Sequence, residues 1–364
     1  MRAVILTILM SAIWMRADII EQKSNTEESL RGISVVSPSI VWASGTRGTY
    51  LRTADGGATW EVGHVPDAES LDFRDVQAFS ADTAFLLAAG PGEQSRIYKT
   101  TDGGKTWTLQ FTNKDPKGFF DCMAFWDKDH GIAVGDPVNG EFQLIKTENG
   151  KDWKPVPAAN LPSAIEGEGA FAASGTCIAV EGKKNVWFVT GGSAARVFRS
   201  QDAGETWSVA ETPIVHGTAS AGIFSVAFRD QKHGVIAGGD YKEPNKDVAS
   251  VAITSDGGKS WKMSRLTPQH YFSAISFLPS ERRVVAVGTR QYAWTESPDA
   301  KKWEVFAPLM RSCAWNHQYA ELNAIGTIPR GKGAFLVGAK GALFLVTAKT
   351  TQIRDEICGE RNKK

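Results

Sequence analysis

From residue 29 onward, short alternating or apolar runs follow one another, each closed by a glycine or a small polar cluster. One stretch shows the grammar. Phe73–Phe79 alternates, Thr83–Gly90 is almost wholly apolar, and Ser95–Thr100 leads into a polar turn. The same order begins again at Phe119–Phe125, Phe224–Phe228 and Tyr271–Phe277. Short runs of period two with glycine-rich punctuation predict an all-β chain.

A phrase of eight residues marks the punctuation. Thr53-Ala-Asp55-Gly-Gly57-Ala-Thr59-Trp60 recurs around Asp102 and Trp107, around Asp202 and Trp207, and around Asp256 and Trp261. Two degenerate copies end at Trp153 and Trp303, so the tryptophans are spaced by 47, 46, 54, 54 and 42 residues. Such a step is the length of one four-stranded propeller blade. The phrase has a structural logic. An Asp side chain accepts hydrogen bonds from backbone N–H groups just ahead and closes a tight turn. Glycines tolerate positive φ, and the tryptophan opens the outer strand with a large ring to bury. These aspartates are therefore expected to be structural, not catalytic.

Six phrases account for six blades. After the last, Tyr319–Ile328, Gly333–Val337 and Ala342–Val346 supply three more strands. A seventh blade is then one strand short. The missing strand is expected near Trp14–Glu21, or from Thr351–Ile357 if the N-terminus is removed; such closure leaves no exposed sheet edge. The expected architecture is one seven-bladed β-propeller of four antiparallel strands per blade over residues 18–350, with a leader-like segment at 1–17 and a tail at 351–364.

Charge and composition narrow the function. Forty-one Lys and Arg against 40 Asp and Glu leave no basic surplus for nucleic acid. Met1-Arg2 followed by an apolar run to Met15 fits a secretory h-region and is too short to span a bilayer. A periplasmic or secreted location follows, with no membrane span in the mature chain. Cys122, Cys177, Cys313 and Cys358 have no metal spacing, and their pairing is not readable from sequence; Cys313 with Cys358 is one option and four free thiols another. No metal and no cofactor is expected.

The repeated phrase is the Asp-box, or BNR repeat. With Leu30-Arg31-Gly32-Ile33, Val41-Trp42-Ala43-Ser44-Gly45, Tyr50–Gly57 and Asp129-His130-Gly131-Ile132-Ala133-Val134-Gly135, the chain resembles the photosystem II assembly/stability factor-like propellers over residues 29–348. The resemblance implies an exported, non-enzymatic protein that binds a partner protein during complex assembly. The box itself is shared with sialidases and other glycosidases, so a glycoside hydrolase is the alternative.

In a propeller, the box turn shares its face with the strand one–two turn. A binding site is therefore expected on the other face, among the strand two–three loops and the blade-to-blade connections. The two–three loops carry Arg47, Asp136, Arg196, Asp240, Arg290 and Tyr292, the residues selected as a binding set for a partner protein or polar ligand. Arg47, Arg196 and Arg290 occupy comparable positions of three blades, and an arginine fork suits a carboxylate. The glycosidase alternative would use the same face, with Tyr292 and three arginines in the sialidase manner or a carboxylate pair such as Glu166 and Asp240. No catalytic residue is assigned, and a monomer is expected.

Overall fold

In the computed structural model the described residues are 16–157, 160–265, 270–278, 283–289, 291–295, 304–306, 321–329, 331 and 333–349. They form seven antiparallel sheets arranged as the blades of one propeller. Blade 1 comprises Leu30–Val35, Val41–Gly45, Thr49–Thr53 and Glu61–His64. Blades 2 to 6 repeat this up-and-down order, their innermost strands starting at Phe73, Phe120, Ile178, Ala221 and Ala274.

Blade 7 closes the ring. Its three inner strands are Leu322–Thr327, Gly333–Gly338 and Leu343–Lys349, and its outer strand is Arg16–Glu21 from the N-terminus. The register runs antiparallel from Arg16 opposite Lys349 to Glu21 opposite Phe344. Closure thus uses the N-terminal strand near the position expected, beginning two residues before the boundary at 18. The stretch 1–15 and the tail 351–364 lie outside the described residues.

The boxes staple the strand three–four hairpins. In blade 1, Asp55 Oδ1 accepts from Thr53 Oγ1 at 2.7 Å and from Thr59 N at 2.9 Å, and Thr59 Oγ1 donates to Asp55 Oδ2 at 2.5 Å. Thr53 Oγ1 accepts from Gly57 N at 3.0 Å. The same bonds recur at Asp102, Asp202 and Asp256. Donors aimed at a carboxylate favour its charged form. Accordingly, the hydrogen bonds from Thr59 and Thr53 lower Asp55 to a pKa of about 2.

Aromatic rings then tie blade to blade. Trp107 of the second box stands edge-on to Trp42 and Tyr50 of blade 1, at 6.3 and 5.1 Å. Tyr50 Oη donates to the Gly104 carbonyl at 2.8 Å, and a Cβ at Gly104 would sit 2.4 Å from the Tyr50 hydroxyl. With φ at +89°, the position requires glycine on both counts. Trp187 of blade 4 donates from Nε1 to the Gly257 carbonyl in the box turn of blade 5 at 2.9 Å.

A disulfide joins Cys122, in the innermost strand of blade 3, to Cys177, just before the innermost strand of blade 4. The Cα atoms are 6.1 Å apart, and both residues are fully buried. Cys313 and Cys358 lie outside the described residues, so the pairing considered for them is untouched. Among the described residues, no helix is long and apolar enough to cross a membrane.

Candidate functional site: the mouth of the central channel

Five of the seven innermost strands share a defect that builds a site. The register with the second strand shifts between Leu30 and Gly32 in blade 1, Phe73 and Asp75 in blade 2, and Phe120 and Cys122 in blade 3. It shifts again between Ile223 and Ser225 in blade 5, and between Leu322 and Ala324 in blade 7. A bulge leaves one residue unpaired and re-aims its side chain. The unpaired residues are Arg31, Arg74, Asp121, Phe224 and Asn323.

Four of these five line a cavity of about 460 Å³. The connections contribute Phe171, Ala172, Ala173, Tyr271 and Glu321, and the two–three loops contribute Tyr241 and Thr289. No box residue is among the described lining. The cavity therefore lies at the end of the channel opposite the box turns. Glu321 is the one carboxylate in the described lining, and it is exposed.

Behind the wall sits a cluster of carboxylates. Asp121 is buried, and burial raises its pKa well above the ordinary range, with Asp136 adding repulsion and Arg74 opposing it. Asp136 Oδ1 accepts from Ala170 N at 2.9 Å, and burial lifts its carboxyl to about 6. Arg74 donates from Nε to Asp72 at 2.7 Å and from Nη1 to the Ala172 carbonyl at 3.0 Å. The segment carrying Phe171 is thus pinned on both sides by groups from blades 2 and 3. Asp75 is buried too; burial raises its pKa, against the hydrogen bond its Oδ2 accepts from Met123 N at 2.7 Å.

Asp136 yields a test of this cluster. Its folded pKa stands above the ordinary 3.8. The unfolded chain therefore ionises first as pH rises, and the stability present below about pH 4 is lost as pH climbs through about 6. The loss amounts to roughly 3 kcal/mol for a shift of that size. Asp136→Asn keeps an oxygen for Ala170 N and removes the charge. It is expected to come closest to wild type in urea unfolding at pH 3.5 and to exceed it clearly at pH 8. Equal differences at the two pH values would contradict the assignment.

The selected binding set does not gather in one place. Arg47 sits in the two–three turn of blade 1 with its side chain 73% exposed, Nε lying 3.4 Å from Glu28. Its φ of +56° holds it in the left-handed region. Arg196 is buried. Its Nε donates to Glu168 Oε1 at 2.9 Å, its Nη2 pairs with Glu168 Oε2, and Nη2 also reaches the Ser163 carbonyl at 2.9 Å. Asp240 is likewise turned inward. Burial pushes its pKa up, but hydrogen bonds led by Ser220 and Lys242 N prevail and hold it below the usual range. Tyr292 is buried, and burial raises its phenol. Arg290 lies outside the described residues.

Several of the residues that do converge lie in strands, not in the loops that the sequence favours as carriers of a site. Their signature is a motif at the start of four inner strands: Leu30-Arg31-Gly32-Ile33, Phe73-Arg74-Asp75-Val76, Phe120-Asp121-Cys122-Met123 and Leu322-Asn323-Ala324-Ile325. A polar or charged residue wedged after a large apolar one, in four of the seven blades, is the signal the sequence offers.

Fold and site define a class: a seven-bladed Asp-box propeller with an arginine- and aromatic-lined cavity on the face away from its boxes. The chain resembles the photosystem II assembly/stability factor-like family within that class. The family described as Photosynthesis system II assembly factor YCF48 matches residues 11–116. The Photosystem II assembly protein Ycf48 of Synechococcus sp. (strain JA-2-3B'a(2-13)) is 24% identical over 311 residues, covering 74% of this chain and 84% of that protein. YCF48 from Cyanidioschyzon merolae superposes with a TM-score of 0.63 at 19% identity, covering 90% of this chain and 98% of that one. A structure of YCF48 bound to D1 peptide superposes with a TM-score of 0.60 at 15% identity, covering 94% and 99%.

Proposed function

We propose that this chain is an exported, monomeric propeller that binds a segment of a partner protein during assembly of a complex and performs no catalysis. The observation that carries the reading is the channel-mouth cavity, which offers arginine, amide and hydroxyl groups beside aromatic rings. Such a set recognises and orients a polypeptide segment. The likeness to YCF48, one structure of which holds D1 peptide, supports it. The glycosidase alternative needs two carboxylates flanking one bond. The described lining offers one, and Glu166 and Asp240 are not part of it. The buried disulfide supports a periplasmic or secreted location, because such bonds persist in oxidising compartments. A leader cleaved before Arg16 would leave the closing strand intact.

Capture from an extract of the source organism tests the reading. Wild-type chain is expected to retain a defined polypeptide. A variant with Tyr241→Ala and Arg47→Glu, both exposed on the same face, is expected to retain at least tenfold less. If wild type retains no polypeptide, the reading falls. Turnover of a chromogenic glycoside, abolished by loss of one carboxylate, would restore the glycosidase.

A further inference from the structure

The two arginines of the channel mouth differ in how they are satisfied. Arg74 has its Nε on Asp72 and its Nη1 on the Ala172 carbonyl. Arg31 donates no hydrogen bond to any described residue, and its Nε is buried without a partner. Burial lowers the pKa of Arg31, and repulsion from Arg74 lowers it further. A half-buried guanidinium whose buried Nε–H has no acceptor is costly to the fold unless an anion meets it. Asp72 gives Oδ2 to Arg74, and its charge partly offsets these effects on Arg31, but its Oδ1 accepts no hydrogen bond, so Arg31 keeps a donor to spare.

The same lining also carries a π surface. Phe171 stacks on Phe224 with ring centres 4.0 Å apart and planes 5° apart. Tyr271 stands edge-on to Phe224 at 5.0 Å. Arg31 and these rings line the same cavity of about 460 Å³, room for a few side-chain-sized groups and not for a folded element. Thr289 Oγ1, in the same lining, is also buried without a partner.

We propose that this cavity is a subsite for a carboxylate carried next to a flat or aliphatic apolar group, the carboxylate held by the fork of Arg31 and the apolar group laid against Phe171, Phe224 and Tyr271. The inference rests on the partner-segment reading and narrows it. Two sources have this chemistry: the α-carboxylate of an apolar C-terminal residue, and an Asp or Glu side chain beside an apolar residue within a chain. Arginine serves either, because its planar fork engages both oxygens at once.

Titration calorimetry with three synthetic probes tests it: N-acetyl-phenylalanine, N-acetyl-aspartyl-phenylalanine amide, and N-acetyl-phenylalanine amide. The neutral amide is expected to bind at least tenfold more weakly than the better of the two acids. Preference for the first acid names a chain end, and preference for the second names an internal acidic residue. Arg31→Met is expected to weaken the better acid by about 10- to 100-fold, the range of one or two charge-assisted hydrogen bonds. Arg31→Lys should recover only part, because it keeps charge and loses the fork. Phe171→Ala, on a different element, should weaken both acids and leaves the arginine in place if Arg31→Met misfolds. Equal binding of all three probes, or binding indifferent to Arg31→Met in a folded variant, overturns the subsite. The two readings fail separately. A partner captured equally by wild type and Arg31→Met sinks the subsite and spares the binding function. Acid binding lost in Arg31→Met while no polypeptide is captured does the reverse.

Discussion

Glu168→Ala is expected to lower the unfolding free energy by about 3–5 kcal/mol at neutral pH, the cost of stripping one partner from a buried ion pair. The Glu168 side chain is fully inaccessible and that of Arg196 is 8% exposed. Glu168 takes two hydrogen bonds from Arg196, one from Thr190 Oγ1 at 2.6 Å and one from Ile165 N at 2.9 Å. Removing it leaves a buried guanidinium with only the Ser163 carbonyl and the ring of Phe198, 4.9 Å below. The pair also anchors the connection between blades 3 and 4, since Glu168–Gly169 pairs with Gly191–Gly192 and through it with the innermost strand of blade 5. Equilibrium denaturation of Glu168→Ala, Arg196→Leu and the double Glu168→Leu/Arg196→Leu variant separates the contributions. The double variant is expected to recover much of the loss, because two apolar groups leave no charge stranded. A loss below about 1 kcal/mol in Glu168→Ala would mean that water reaches the pair, as at a surface ion pair.

Loss of the Cys122–Cys177 bridge is the second large effect. The two residues are 55 apart in sequence, and a loop of that length corresponds to about 4 kcal/mol of unfolded-state entropy. The bridge ties blade 3 to blade 4 at the innermost strands, beside the segment that carries Phe171. The variant with Cys122→Ala and Cys177→Ala is expected to unfold at lower denaturant than oxidised wild type. Reductant should bring wild type close to the variant and leave the variant unchanged. Coincident midpoints for oxidised and reduced wild type would show that the ring holds those blades without the bridge.

How much of this was legible in the chain depends on the range of the interaction. The Asp-box turn is local: Thr53, Asp55, Gly57 and Thr59 hydrogen-bond within six residues, so composition and spacing specify it. Its periodic return implies the blades, and the shortage of one strand after Thr347 implies closure from the N-terminus. The site was legible only as a choice of face. Loops were favoured as carriers of the binding residues, yet Arg31, Arg74, Phe224 and Asn323 come from strand bulges. A bulge is a property of two strands in register, and a single strand does not announce it. Arg47 and Arg196 illustrate the same limit. Both occupy strand two–three positions and both meet a glutamate from the incoming segment, yet Arg47 is in solvent beside a partly exposed Glu28, while Arg196 is drawn inward by a Glu168 that is itself fully buried.

The chain by itself determined a ring: turns closed by their own side chains, repeated at blade length, leave a propeller as the way to bury every strand. The tertiary structure alone decided which side chains meet at the channel mouth, that Cys122 finds Cys177, and that Asp121 and Asp136 share a buried corner. Those contacts join residues tens to hundreds of positions apart. They depend on how each blade packs against the next, and no local pattern encodes that.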